Sequence, residues 1–344
     1  NSYKVITTIL KGQFKYLSKN FDIYVALPFE NNSRDLEIQE NIKVFHISIQ
    51  RGNLKPYDFL AFMQLLIIIL KVRPKIIHTY FPKSGLLGML AAFLCRVPIR
   101  INTFTGLVFP TQNRIKKPIL KNIDKLICKL SNYIIAEGSD VKKEMEFYKI
   151  TNNKINIIGN GNIAGVDDEY FTISSSLLEK SKKKFIDINN KKRTFLFIGR
   201  ICIEKGINEL VESFLEIKDE CNLILVGDIE DLAISKKINL LTYKCKNLYH
   251  FNFQRDIRPF LIFSDVLVLP SYREGFPNVI LEAGCMKLPV LATNVNGSRE
   301  LIQNNLNGWI IPPRNSQLLL EHMKLILKIS KEQLREFGNY SRKN

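Results

Sequence analysis

Val266-Leu-Val-Leu269-Pro270-Ser271-Tyr-Arg-Glu274-Gly275-Phe276-Pro277-Asn278-Val279-Ile-Leu-Glu282-Ala-Gly284 is the stretch on which the fold turns. Its first four residues are uninterrupted apolar residues, two of them β-branched, as in a strand buried on both faces. A loop with Gly275 follows. Pro277, whose fixed φ suits the first turn of a helix, then opens a helical pattern continuing to about Lys287. A doubly buried strand running through a short loop into a helix is the repeating unit of a parallel α/β sheet.

The same unit recurs on both sides. Upstream, strand patterns fall at Lys4–Thr8, Asp22–Leu27, Ile42–Ile47, Lys75–Thr79, Ile99–Phe104 and Tyr133–Ala136. Helical spacers such as Tyr57–Lys71, Ser84–Cys95 and Ile119–Leu130 separate several of them. The rhythm breaks between Gly165 and Lys192, which is polar and lysine-rich, and restarts with Thr194–Ile198, Asn222–Val226, Asn247–Tyr249, Asp265–Leu269, Val290–Thr293 and Trp309–Ile311. The expected fold is α/β, with two Rossmann-like, doubly wound parallel-sheet domains facing a cleft. The expected divisions are residues 1–165, a connection at 166–192, a second domain at 193–325, and a helical tail at 326–344 that crosses back to the first domain. A length of 344 residues agrees with two domains at roughly 100–200 residues each.

Composition excludes several classes. With 46% hydrophobic and 24% charged residues, the chain is ordinary globular material. Six scattered cysteines contain no C-x-x-C pair, and four distant histidines give no metal spacing, so neither a disulfide framework nor a metal site is expected. The longest apolar run, Phe59–Leu70, is interrupted by Gln64 and falls short of the ~20 residues that span a bilayer. The net charge of +17 calls for an anionic partner, and on charge alone nucleic acid comes first.

The motifs redirect that reading. In an open parallel sheet, ligands sit beyond the carboxyl ends of the strands. Glu274 lies in such a loop and Glu282 about a turn and a half into the following helix, an E-x7-E spacing. The first-turn N–H groups of Asn278 and Val279, helped by the helix dipole, can receive phosphate. Ionised carboxylates accept hydrogen bonds from sugar hydroxyls, so the set suits a phosphorylated, polyhydroxylated ligand. The alternative, a capping Glu and a solvated Glu, leaves the glycines and Pro277 without a role. A second segment, Phe195-Leu-Phe-Ile198-Gly199-Arg200-Ile-Cys-Ile-Glu204-Lys205-Gly206, ends another buried strand and sets Arg200 and Lys205 at its carboxyl edge. Two cations there can neutralise a diphosphate leaving group, where the plainer reading is a basic surface loop. Gly159-Asn-Gly161-Asn-Ile-Ala-Gly165 looks like a dinucleotide fingerprint, but its last glycine is one position late and no suitable helix follows, so no nicotinamide or flavin site is expected.

Two further features concern partners. Arg114–Leu130 carries an apolar helical stripe (Ile119, Leu120, Ile123, Leu126, Ile127, Leu130) and a basic face (Lys121, Lys125, Lys129). It can lie on anionic lipid or pack on a core with a solvated basic back. Phe59–Leu70 and Leu86–Leu94 are unusually apolar for crossover helices and either bury fully or touch lipid. His78 ends a strand and either faces the cleft or is structural.

These segments together resemble the family-four retaining glycosyltransferases of the GT-B architecture. The similarity rests on Gly199-Arg200…Glu204-Lys205-Gly206, on Pro270-Ser271…Glu274-Gly275-Phe276-Pro277…Glu282-Ala283, and on Asn296-Gly297-Ser298-Arg299-Glu300…Asn307-Gly308. In the first half, Leu10-Lys11-Gly12-Gln13, His78-Thr79…Pro82-Lys83…Gly85, Thr103-Phe104-Thr105-Gly106 and Gly159-Asn160-Gly161 resemble the subgroup that builds capsule, O-antigen and exopolysaccharide units. The resemblance implies a nucleotide-sugar donor, UDP-linked, and a lipid-linked saccharide acceptor, with no metal or other cofactor and no nucleic acid. It implies that Arg200 and Lys205 hold the diphosphate, Glu282 the ribose and Glu274 the transferred sugar. Gly199, Gly275, Phe276, Pro277, Asn278 and Val279 would border the donor, and Phe253, within Phe251–Gln254, its base. Gly12, His78, Lys83 and Thr105 would stand on the acceptor side. Thr105 replaces the histidine of many relatives, and Thr7–Gly12 is a shortened first loop. The enzyme would work in the cytoplasm, at the inner face of the membrane, reached through the basic first domain. Two other readings remain: an inactive homologue, motivated by the short loop, and a basic nucleic-acid-binding protein, which explains the charge but not the paired carboxylates.

Overall fold

All strand pairings among the described residues of the computed structural model are parallel. It describes residues 3–29, 33–50, 52 and 54–343. The chain divides into unit 1, Asn1–Gly165, and unit 2, Val166–Asn344.

Unit 1 holds a two-stranded sheet, β1 (Tyr24–Leu27) with β2 (Lys43–His46), and a four-stranded sheet in the order β3 (Ile76–Tyr80), β4 (Ile99–Phe104), β5 (Tyr133–Ala136), β6 (Ile155–Asn156). The segment expected as a first strand, Lys4–Thr8, is instead part of a helix, Tyr3–Thr8. Its spacing explains the correction. Ile6 and Leu10, four residues apart, are both 3% exposed, and Ile6 packs with Leu27, Leu36 and Ile42. The β-branched composition suggested a strand, but the apolar residues repeat at helical period. Helices Asp58–Val72 and Pro82–Leu94 pack together over Ala91, Ala92, Ile69 and Val97. Neither buries fully: Phe59, Leu60, Ile67 and Leu70 on the first, and Leu94 on the second, are more than half exposed.

Unit 2 is built on one sheet in the order β12 (Gly308–Ile311), β11 (Val290–Thr293), β10 (Val266–Leu269), β7 (Arg193–Ile198), β8 (Cys221–Val226), β9 (Leu248–Phe251). Every residue of β8, β10 and β11 is buried, which is what uninterrupted apolar strands require when helices cover both faces. The lysine-rich segment after residue 165 contributes helix Ser175–Lys184, capped by Ser174 Oγ accepting from Leu177 N at 3.3 Å. It joins the core through Leu177, Phe185 and Ile188. The tail helix Lys331–Lys343 packs on the same unit. Phe337 stacks on Trp309 with ring centroids 4.8 Å apart, and Arg342 donates to the carbonyls of Cys285, at 2.5 Å, and Phe171, at 2.8 Å.

Candidate active site

The strand order of unit 2 reverses between β7 and β10, so the chain leaves these neighbours toward opposite ends of the sheet. Such a switch point opens a crevice at the carboxyl ends, where a ligand can enter between the two departing loops. The loop after β7 carries Gly199 and Arg200, then a 3-10 turn Ile203–Lys205. The loop after β10 carries Ser271–Pro277 and feeds helix Asn278–Cys285. The two segments singled out in the sequence are therefore the two lips of one crevice.

Backbone chemistry holds the lips together. Gly206, with φ 68°, ends the 3-10 turn and starts helix Ile207–Glu216, and a Cβ there would collide with the Pro270 carbonyl oxygen. Only glycine allows the two loops to approach so closely. Tyr272 N donates to Glu204 O at 2.9 Å. The Tyr272 hydroxyl donates to Glu209 Oε1, and Arg314 lies over the Tyr272 ring at 4.6 Å. Neither Glu209 nor Tyr272 was singled out in the sequence. Their signal was available only in the fold, because 63 positions separate them.

The central contact is Lys205 Nζ donating to Glu274 Oε1 at 2.5 Å, with the two side chains 17% and 10% exposed. The cation suited to phosphate and the carboxylate suited to sugar hydroxyls thus neutralise each other across the crevice. Arg200 Nη1 donates to Glu230 Oε2 at 2.5 Å, a second pair that is more open to solvent. Glu230 lies just past β8 and was also absent from the sequence reading. Glu282 is on the fifth residue of helix Asn278–Cys285. Burial pushes its carboxyl up to about 7, with no cation or hydrogen bond offsetting that among the described residues. Asn278 and Val279 stand in the first turn, and Pro277 is the cap residue rather than the first helical one. Phe276 and Pro277 are buried, while Gly199 and Gly275 are half-buried. Phe253 is 42% exposed in the loop after β9, where its N–H donates to Asp228 Oδ1 at 3.0 Å. All these residues share the carboxyl edge of one sheet.

The acceptor-side candidates lie in unit 1 and form no single cluster there. Gly12 caps a short helix with φ 79°, its N–H donating to Glu40 Oε1 at 2.7 Å. His78 is exposed on β3. Its Nε2 lies 2.8 Å from Thr103 Oγ1, and its Nδ1 lies 3.2 Å from the Tyr80 hydroxyl. Lys83 is buried and its ammonium is engaged by Asp58 Oδ2 at 2.8 Å, so it serves the joint between two helices. Thr105 lines a narrow crevice with Phe81, Pro82 and Asn102. Phe81 there has φ 68° and ψ 151°, a conformation that side chains rarely adopt and that costs on the order of 1–3 kcal/mol.

A separate cavity of about 260 Å³ opens at the amino ends of the strands of unit 2, lined by Lys191, Lys192, Arg193, Glu220, Leu327 and Lys331. It belongs to the opposite edge from the paired carboxylates. No group of three or more His, Cys, Asp or Glu suited to a metal ion occurs among the described residues.

Comparison with known proteins bears on the same geometry. Residues 179–344 match the family model "Glycosyl transferases group 1", and residues 13–162 match "Glycosyltransferase Family 4". The chain is 28% identical over 342 residues to the capsular polysaccharide biosynthesis glycosyltransferase CapM of Staphylococcus aureus, covering 97% of this chain and 88% of the relative. It is 29% identical over 286 residues to the Escherichia coli UDP-Gal:alpha-D-GlcNAc-diphosphoundecaprenol alpha-1,3-galactosyltransferase, covering 80% and 72%. Among solved structures, Anabaena HepE in complex with UDP and glucose superposes with a TM-score of 0.79 at 18% identity, covering 96% of this chain and 89% of that one. That likeness is one of fold, the GT-B architecture.

Proposed function

The chain belongs to the family-four glycosyltransferases, and from that premise we propose that it moves a sugar from a UDP-sugar to a lipid-linked saccharide, with retention, during assembly of a bacterial surface polysaccharide. The carrying observation is the Lys205–Glu274 pair at the β7/β10 switch point. The relatives' own names speak for the substrates: one uses UDP-Gal and a diphosphoundecaprenol-linked sugar, another works in capsule synthesis.

In this reading the donor diphosphate enters the crevice and takes Lys205 from Glu274, which turns to the sugar hydroxyls. Arg200 and Lys205 neutralise the charge that grows on the leaving diphosphate, which is worth most in a site shielded from water. The first turn of helix Asn278–Cys285 adds the partial positive charge of its dipole. Glu282 accepts from the ribose hydroxyls. The acceptor hydroxyl attacks the anomeric carbon on the face the diphosphate leaves. A C–O bond forms to the acceptor, the C–O bond to the diphosphate breaks, and the hydroxyl proton passes to the departing phosphate oxygen. Cationic side chains carry this charge without a divalent metal, so activity is expected to survive EDTA.

The surface of unit 1 supports a place at the inner face of the membrane. Unit 1 as a whole, the buried Lys83–Asp58 pair included, carries 24 Lys and Arg against 11 Asp and Glu. On helix Lys116–Leu130, Ile115 just before it, Ile119 and Leu126 are exposed beside Lys116, Lys125 and Lys129. No helix is long and apolar enough to cross a membrane among the described residues.

A thermal-shift screen of nucleotide sugars, followed by transfer to lipid-diphosphate saccharides, tests the reading. A ligand at 100 times its Kd adds about 2.7 kcal/mol to stability. Absence of any shift, with no transfer to any such acceptor, would sink it and favour an inactive homologue.

A further inference from the structure

Glu230 has no part in the donor scheme above, yet the fold presents it to Arg200 firmly. Gly199 N donates to Val226 O at 3.0 Å and Ile201 N to Asp228 O at 3.0 Å; Glu230 N returns a bond to Ile201 O at 3.1 Å. The loops after β7 and β8 therefore continue their strand pairing past the sheet, through a bridge between Ile201 and Ile229. Gly227, with φ 146°, permits this, because a Cβ there would run into the Gly199 carbonyl oxygen. His250 Nε2 binds the Gly227 carbonyl at 2.9 Å. On the far side Asp231 Oδ1 caps helix Leu232–Lys244, accepting from Ala233 N at 2.8 Å and Ile234 N at 3.0 Å. Glu230 thus sits between a strand bridge and a helix cap, and its carboxylate meets Arg200 at 2.5 Å.

The two carboxylates at the phosphate-side cations differ in what they can do once a donor arrives. Glu274 can exchange Lys205 for sugar hydroxyls. Glu230 is held against Arg200 by the strand bridge, so it stays as a negative charge beside the bound diphosphate. Its effect is unequal across the reaction. A nucleotide sugar carries two phosphate charges, while the released nucleoside diphosphate gains a terminal phosphate with a second pKa of about 6 and so a further charge at neutral pH. We propose that Glu230 is a product-release residue: competing with the nucleoside diphosphate for Arg200, it weakens the hold on product more than the hold on donor. This rests on the donor reading above.

The experiment is calorimetric titration of the full chain with UDP, and with the tightest-binding of UDP-glucose, UDP-galactose and their N-acetyl forms. Wild type, Glu230→Gln, Arg200→Gln and the double variant are compared. Glu230→Gln keeps the size of the side chain and removes its charge. UDP affinity is expected to rise about three- to five-fold, the range of an exposed ion pair, with a smaller rise for the UDP-sugar. The gain should vanish in the Arg200→Gln background, since the effect runs through that guanidinium. Unchanged or weaker UDP binding in Glu230→Gln overturns the proposal, the weaker case meaning that Glu230 merely orients Arg200. An equal rise for both ligands also overturns it. If Arg200→Gln weakens UDP binding while Glu230→Gln changes nothing, the donor reading stands and this one falls. If wild type binds neither ligand, both fall.

Discussion

Unit 1 carries 24 Lys and Arg against 11 Asp and Glu, whereas unit 2 carries 26 against 22. Their interiors differ as well. Among the described residues, unit 2 has one large hydrophobic cluster around a six-stranded sheet, while the apolar core of unit 1 falls into four separate clusters. The unit proposed to hold a small anion is nearly neutral and built around a single core. Its cations act by placement: Lys205 and Arg200 stand at a strand-order reversal, each already facing a carboxylate. The strongly basic unit spreads its charge over helices, strands and loops alike, a distribution suited to an extended anionic surface rather than a point ligand. Under the proposed function, net charge would say little about where the donor binds and more about what the other unit meets.

The sharpest way to break this contrast is to remove one placed cation from the neutral unit. Lys205→Ala should lower transfer by on the order of 10²–10³-fold, about 2.7–4 kcal/mol, as loss of a preorganised charge stabiliser does. Thermal unfolding should fall by far less than transfer does, a modest loss that comes from leaving the 10%-exposed Glu274 without its cation. Initial rates with a labelled UDP-sugar measure the first, calorimetry the second. Transfer within a few-fold of wild type would show that placement at the switch point is not what matters.

The corresponding change in unit 1 should leave donor binding alone and strike association with lipid. Replacing Lys116, Lys125 and Lys129 by Gln removes three exposed cations of helix Lys116–Leu130. At about 1 kcal/mol per basic residue near an anionic surface, binding to phosphatidylglycerol-containing vesicles should fall by about 100-fold. Vesicle sedimentation at low and high salt reads this, and UDP titration of the same variant should be unchanged. Equal loss of UDP binding would erase the division of labour.

Most of this contrast could be read from residues alone, but unevenly. In unit 2 the strands are uninterrupted apolar runs, and a run such as Val266–Leu269 allows few other structures. The Glu274 and Lys205 loops were legible because glycine and proline mark where a strand stops and a helix starts. Their 2.5 Å contact was not, since 69 positions separate the partners and only the strand order unites them. Glu230 escaped for the same reason, being brought to Arg200 by strand neighbours and not by any motif. In unit 1 the signal was weaker. Tyr3–Thr8 is short enough that β-branched content outweighed its helical spacing, and the pairing of Lys83, expected on the acceptor side, with a buried Asp58 carried no sequence signal. A lysine's charge is visible in sequence; the carboxylate that occupies it is not.

The smallest effect compares the units through one buried carboxyl each. Asp124, 3% exposed on the core side of helix Lys116–Leu130, is pushed up to about 7 by burial, as Glu282 is in unit 2. Each holds its proton more tightly in the folded chain than in the unfolded one, where ordinary carboxylate values near 4 apply. Between about pH 4 and 7 the folded state thus binds more protons, and stability falls as pH rises through that window. Each group contributes a slope of at most about 1.4 kcal/mol per pH unit. Denaturant titrations of the ligand-free chain at pH 4.5, 6 and 7.5 should show this loss. Asp124→Asn and Glu282→Gln should each flatten it, and only Glu282→Gln should also weaken the UDP-sugar, because of the two only Glu282 is on the helix bordering the proposed donor crevice. A slope untouched by either substitution would mean that both carboxylates are solvated when ionised. Donor affinity that responds to Asp124→Asn as strongly as to Glu282→Gln would mean that the two units titrate as one.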